Sequence, residues 1–274
     1  VDTRAAGSLY ILRGKELGRL EIQGGRAGED WRIDKLAMTN ADASLAASGL
    51  WRGGAPTRSQ LDFELNAADA GQFLARVGYP ELVKGGKTRF RGSLGWNGDP
   101  ALIDYASLNG SLQLESSSGQ FLEIEPGIGK LISLMSLQSL PRRITLDFRD
   151  VFSKGFGFDD INAAAQVESG VMKVKDFRMR GSSAQVQMNG EVDLAQETQN
   201  VRVRVVPSLG DSASTVIALV NPLLAIPAAI AQKILKDPLG HIFAFEYSVT
   251  GGWSDPKVVK LGIEARELQQ QGSP

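Results

Sequence analysis

The residues best suited to acid–base chemistry are four aspartates that lie close together in the sequence: Asp147, Asp150, Asp159 and Asp160. Two carboxylates on either side of a glycosidic bond can act as the acid and the base of a hydrolase. Asp147, however, falls on the outward phase of an alternating strand, and Asp159 and Asp160 follow a glycine-rich turn. Solvated strand faces and turn caps account for such positions. We therefore predict that the protein has no catalytic residues and is not an enzyme, with an envelope hydrolase as the least supported alternative.

A second candidate for chemistry is the pair Arg142 and Arg143, which follows the helix-ending Pro141. Guanidinium groups form charge-assisted hydrogen bonds with phosphate, so the pair is a candidate contact for a lipid headgroup. Ion pairs with nearby acids such as Asp150 are the simpler explanation of the same residues. The sequence leaves both interpretations open.

Composition excludes several kinds of site. The 274 residues contain no Cys and one His, His241, so disulfides, thiolate nucleophiles, iron–sulfur clusters and multi-histidine metal sites are excluded. The 30 basic and 31 acidic residues give a net charge of -1, which provides no basic field for nucleic acid. We predict no cofactor, no metal and no nucleic-acid partner, and a structural role for His241.

Most of the chain alternates between apolar and polar residues with a period of two, which is typical of strands with one apolar face. The alternation breaks phase once between Val174 and Phe177, which predicts a β-bulge near Lys175 and Asp176. Pairs of turn-forming residues separate the runs and predict an antiparallel meander. These pairs are Gly53-Gly54, Gly85-Gly86, Asn109-Gly110, Ser169-Gly170, Asn189-Gly190 and Gly251-Gly252.

Three segments depart from this pattern and predict helices near residues 69–77, 127–140 and 212–236. Asp69 is the predicted cap of the first, and the second is apolar around nearly its whole circumference. The third includes 212–232, which has no charged residue but is interrupted by Pro222 and Pro227. Its alternatives are a lid packed on the sheet, a segment in contact with a membrane, and a membrane span.

The fold predicted from these features is mainly β: a long, twisted antiparallel sheet, curved into an open hydrophobic groove, with a few short amphipathic or apolar helices. The apolar face of such a sheet must be covered by a second sheet, by helices or by a ligand. A closed sandwich or barrel that covers itself is the alternative. We predict two regions, a β-repeat segment at 1–68 that continues the groove and a C-terminal region at 69–274.

One region resembles a known family. The motifs that carry the resemblance are Glu125-Pro126-Gly127, Leu140-Pro141-Arg142-Arg143, Gly155-Phe156-Gly157-Phe158-Asp159 and Trp253-Ser254-Asp255-Pro256. They are similar to the C-terminal AsmA-like region of the YhdP family of Gram-negative envelope proteins. The resemblance is strongest over residues 70–262.

The resemblance implies a periplasmic part of a protein that is anchored in the inner membrane, with the anchor absent from this chain. It implies phospholipid movement between the inner and outer membranes through a β-groove, which supports the outer-membrane barrier. The segment 212–232 would then lie where lipid leaves the groove and would contact the membrane. The outer-membrane partner, the lipid species and the direction of transport are not specified by the resemblance.

We predict that acyl chains lie along the apolar strand faces while headgroups stay in water, so no catalytic residue is needed. The runner-up is a structural or protein-interaction module of the envelope, in which helix 127–140 binds a partner. The predicted groove residues are Leu61, Phe63, Phe90, Leu94, Leu112, Leu114, Ile144, Leu146, Phe148, Met172, Val174, Val186, Met188, Val203, Phe243 and Phe245.

Overall fold

The computed structural model of the chain describes residues 2–12, 15–122, 155–207 and 244–261. These residues form thirteen strands and two short helices. The strands are β1 Asp2–Leu12, β2 Lys15–Ala27, β3 Asp30–Thr39, β4 Ala43–Arg52, β5 Arg58–Ala67, β6 Val83–Asn97, β7 Asn109–Phe121, β8 Phe156–Glu168, β9 Val171–Arg180, β10 Ala184–Asp193, β11 Thr198–Pro207, β12 Phe245–Gly252 and β13 Asp255–Leu261.

All thirteen strands belong to one antiparallel sheet whose spatial order is the order of the sequence, from β1 to β13. In the described part of the chain, β1 pairs only with β2 and β13 only with β12, so the sheet is open. The prediction of a mainly β protein built on one long antiparallel sheet is confirmed. The division into 1–68 and 69–274 stays a prediction, and the pairing of β5 with β6 carries the sheet across that boundary.

Helix α1 spans Ala70–Arg76 and packs against β6. The carboxylate of Asp69 accepts a hydrogen bond from the backbone N–H of Gln72 at 3.0 Å, which is the N-cap contact that the sequence predicts. At the other end, Arg76 forms an ion pair with Asp42 at 2.6 Å and ties the helix to the β3–β4 connection. A 3-10 helix, Tyr105–Ser107, lies in the loop between β6 and β7.

The period of two gives the sheet two different faces. On β5, Leu61, Phe63 and Leu65 lie on one face, while Asp62 and Glu64 lie on the other. We call the first the apolar face and the second the charged face. Two clusters of buried residues lie on the apolar face, near opposite ends of the strands. One contains Trp96, Val167, Val192, Val201 and Trp253, and the other contains Phe156, Phe158, Ile161, Met179 and Val205.

The predicted bulge is confirmed. Ala164 lies opposite Asp176 and Ala165 lies opposite Val174, so Lys175 is the extra residue on β9. The extra residue returns Phe177 and Met179 to the same face as Val174. Because of this one extra residue, the alternation in the sequence changes phase while the apolar side chains stay on one face of the sheet.

Three of the predicted turns are wrong. Gly85-Gly86 lies inside β6, Asn109-Gly110 begins β7, and Asn189-Gly190 lies inside β10, opposite the β9 bulge. Gly251-Gly252 ends β12 directly before the turn. Gly190 adopts a φ of 138°, and a Cβ there would lie 2.3 Å from the carbonyl oxygen of Asn200. A glycine pair inside a strand can therefore mark a close approach of two backbones, which looks the same as a turn in the sequence.

We predict that Gly190→Ala destabilises the sheet by about 1–3 kcal/mol, because it adds backbone strain and a collision with β11. The comparison is Gly157→Ala in β8, where an added Cβ meets no atom within 4 Å and φ is not in the left-handed region. Urea unfolding of both variants measures the difference. Equal midpoints for the two variants would contradict the close approach of β10 and β11.

Several sequence predictions lie outside the described residues. They are the helices near 127–140 and 212–236, the groove candidates Ile144, Leu146, Phe148 and Phe243, the headgroup candidates Arg142 and Arg143, and also Asp147, Asp150 and His241.

Candidate functional site

A row of directly opposed residues crosses the whole apolar face. From β1 to β13 the register places opposite one another Gly7, Leu20, Met38, Leu45, Leu65, Phe90, Leu114, Ala163, Phe177, Met188, Val203, Tyr247 and Lys260. We call this set the central row. With strands about 4.8 Å apart, the row extends for about 58 Å.

The central row is partly accessible, and buried residues flank it in β8 to β11. Every member from Leu20 to Val203 is half-buried. In β8 to β11, residues of the two buried clusters lie on both sides of the row, such as Val167 and Ile161, and are at most 9% exposed. The row is therefore a half-buried apolar track that is narrow in β8 to β11 and wider in β5 to β7, where Leu61, Phe63 and Leu112 are also half-buried.

Twelve of the predicted groove residues are described, and all twelve lie on the apolar face. Phe63 and Phe90 contact each other edge to face, with ring centroids 5.2 Å apart. Met172, Val174 and Val186 are buried and offer little surface to a ligand. The others are half-buried, namely Leu61, Phe63, Phe90, Leu94, Leu112, Leu114, Met188, Val203 and Phe245.

Some central-row residues were not singled out from the sequence. Leu20, Met38 and Leu45 belong to β2, β3 and β4, whose pattern resembles a generic β repeat. Ala163 is too small to stand out in an apolar pattern. Lys260 follows Pro256 and Val258 with a period of two, and only this phase indicates its place on the apolar face.

On the charged face, ion pairs link neighbouring strands. Arg89 donates to Glu64 at 2.7 Å, and Arg91 lies 3.6 Å from Glu115. The hydrogen bond from Arg89 lowers the pKa of Glu64, so this pair stabilises the fold above the unfolded-state pKa and the contribution is lost as the pH falls through the lowered value. Because both groups are exposed to solvent, the contribution is small.

The described members of the aspartate cluster do not form a catalytic pair. Asp160 accepts a hydrogen bond from Arg180 at 2.7 Å, and Asp159 is exposed. In the parts of the chain that the structure describes, no group of three or more His, Cys, Asp or Glu residues converges in a way that would hold a metal ion.

Two concavities of the described surface contain no central-row residue. One of about 580 Å³ is lined mainly by charged-face residues such as Asp62, Glu64 and Arg91, together with Phe63 of the apolar face. Another of about 740 Å³ contains Lys87, Arg89 and Glu115. These charges are of mixed sign and are partly used in ion pairs, so neither concavity suits an acyl chain. The track described by register and burial is the better candidate.

All four tryptophans lie at one end of the strands. Trp31 and Trp51 are opposite each other in β3 and β4, and Trp96 and Trp253 are buried in one core cluster. The indole N–H of Trp96 donates to the carbonyl oxygen of Asp99 at 3.0 Å. Trp96 and Trp253 therefore pack in the core at the strand ends.

The fold and the site together define an open, sequentially ordered antiparallel sheet with one continuous apolar face. Within the described ranges, no helix has the length and apolar character needed to span a membrane.

The particular family follows from comparison with known proteins. The YhdP protein family model matches residues 8–258, and the chain belongs to this family. The chain is 26% identical over 261 residues, 94% of its length, to a protein of Escherichia coli (strain K12) named intermembrane phospholipid transporter YhdP. It spans about a fifth, 21%, of that relative's length. No solved structure matches the chain.

Proposed function

We propose that this chain is a non-enzymatic lipid-conducting segment of an envelope protein in the periplasm. Its apolar face binds the acyl chains of phospholipids that pass between the inner and outer membranes, and this traffic supports the outer-membrane barrier. The observation that carries the proposal is the half-buried apolar track, which crosses β2 to β11 without a charged residue. The name of the Escherichia coli relative supports phospholipid as the cargo.

The energetics of an apolar track favour movement over tight retention. Each methylene group removed from water gains about 0.8 kcal/mol, so an acyl chain stays on apolar surface. A bilayer interior is equally apolar, and transfer between the bilayer and the track therefore changes the free energy of the chain little. Neighbouring positions along the track are also similar to each other. A lipid can slide along such a surface without a chemical step.

The experiment is mass spectrometry of organic extracts from the 274-residue chain purified from a bacterial periplasm. We expect at least about one phospholipid molecule per folded chain, because partly exposed apolar surface of this length binds amphiphiles. An unrelated periplasmic protein purified in parallel gives the background. Lipid at background level in a folded sample would contradict the proposal.

A structural or protein-interaction module is the second candidate, and one observation favours it. The loop between β6 and β7 exposes Leu102, Ile103 and Tyr105, with Leu102 74% exposed. The loop is held by defined contacts, including a hydrogen bond from the backbone N–H of Asn97 to Ser107 Oγ at 2.9 Å. A folded sample without lipid would favour this candidate.

A further inference from the structure

Strand β13, the last strand that the structure describes, places a cation at the end of the described apolar track. Lys260 lies directly opposite Tyr247, the central-row residue of β12. Its Nζ is 4.6 Å from the centroid of the Phe245 ring. The pairing and the ring contact both place the lysine side chain on the apolar face. Val259 and Lys257, on the alternate phase of the same strand, point to the charged face.

This position is unusual in the central row, because Lys260 is the one charged residue among its thirteen described members. The central row is apolar from Leu20 to Val203, continues with Tyr247, and then ends in an ammonium group. A ligand moving along the row toward β13 therefore meets its first charged residue at Lys260.

The geometry matches the layout of a phospholipid. A lysine that rests its methylene groups on apolar surface holds its ammonium at the boundary with water. The ring of Phe245 stabilises the ammonium in that position through a cation–π interaction. In a lipid, the phosphate sits at the same boundary, directly next to the acyl chains. An ammonium there can donate a charge-assisted hydrogen bond to a phosphate oxygen.

We propose that Lys260 is a headgroup-binding residue, which contacts the phosphate of a phospholipid whose acyl chains lie on the β12 end of the central row. The inference rests on the proposed function, since it needs lipid on the apolar face. Lys260 adds a positive charge to an otherwise uncharged row, so lipids with a net negative headgroup are retained longer at β13 than zwitterionic ones.

A structural explanation must be separated from this one. Lysines on the last strand of a sheet also prevent edge-to-edge association, including lysines that point inward. Lys257 is on the same strand and exposed on the opposite face, so it shares the charge and the edge position of Lys260 but not the apolar surroundings. Lys257→Gln is therefore the matched control for Lys260→Gln.

The test loads the 274-residue chain from vesicles of phosphatidylethanolamine and phosphatidylglycerol in a 3:1 ratio, re-isolates it, and quantifies each bound lipid by mass spectrometry. We expect Lys260→Gln to lower bound phosphatidylglycerol about fivefold relative to phosphatidylethanolamine, the effect of one partly exposed charge-assisted hydrogen bond. Lys257→Gln leaves the ratio unchanged and Lys260→Arg restores it. The phosphorus NMR signal of bound lipid shifts only in the Lys260→Gln variant.

The outcomes separate the two proposals. Wild-type chain without lipid overturns the proposed function. If the wild-type chain binds lipid, and Lys260→Gln has the same headgroup ratio and phosphorus signal as the wild type, the inference alone is overturned. It is also overturned if the one effect of Lys260→Gln is self-association of the chain. Inorganic phosphate at 10-fold excess over lipid serves as the second probe. If it displaces the headgroup signal fully, Lys260 is a general anion site and the lipid assignment is wrong.

Discussion

Ala163→Asp is expected to remove bound phospholipid from the chain almost completely. Ala163 is half-buried at the middle of the central row, between Leu114 and Phe177. A carboxylate in an apolar lipid environment costs about 3 kcal/mol, which corresponds to roughly 100-fold in occupancy. The measurement is lipid per chain after loading from vesicles. In the full-length protein, the same variant is expected to lose outer-membrane integrity, measured as sensitivity to detergent.

The neighbouring residue provides the control for this prediction. Ala164 has the same side chain on the same strand, but it is exposed on the charged face. Ala164→Asp adds the same charge without touching the track, so lipid binding is expected to stay at the wild-type level. Both starting residues are small, so neither variant opens a cavity. A folded Ala163→Asp chain that carries normal amounts of lipid would rule out the central row as the lipid path.

Phe156→Ala is expected to lower the free energy of unfolding by about 3–5 kcal/mol, the usual cost of removing a buried aromatic ring. Phe156 is 1% exposed and belongs to the cluster at one end of β8 to β12. Its ring packs closely on the backbone at Gly181, where an added Cβ would lie 3.1 Å from the ring. Urea unfolding followed by circular dichroism measures the change.

Val259→Ala is the comparison for this stability prediction. Val259 is 56% exposed on β13, so its truncation is expected to change the free energy of unfolding by less than about 0.5 kcal/mol. A loss below about 1 kcal/mol in Phe156→Ala would show that the cluster collapses around the cavity. The buried cluster would then repack too easily to hold the neighbouring central row in a fixed arrangement.

The strands and their faces could be predicted because the signal is local. A period of two assigns Leu61, Phe63 and Leu65 to one face without knowledge of any partner strand. The bulge at Lys175 is visible for the same reason, as a shift of phase within one run. The helix cap at Asp69 depends on residues only three positions apart.

The features that could not be predicted depend on partner strands. Whether Asn189-Gly190 turns the chain or stays in a strand is decided by how closely β11 approaches it. The central row depends on the registers of twelve strand pairs. A shift of one residue in any of these registers would move apolar side chains to the opposite face of the sheet. The contrast in β8 to β11 between the half-buried row and the buried clusters beside it also arises only when the sheet is assembled. The role of these residues in lipid binding stays a prediction.

The sequential order of the strands makes this sheet a linear array in which length is modular. Because each strand pairs with its neighbours in sequence, one hairpin can be inserted or removed while every remaining strand keeps its direction and its facing. An insertion of a single strand would reverse all that follow. Such a sheet therefore changes size two strands at a time, in steps of about 10 Å, so the distance it spans can be tuned without redesigning the surface that spans it.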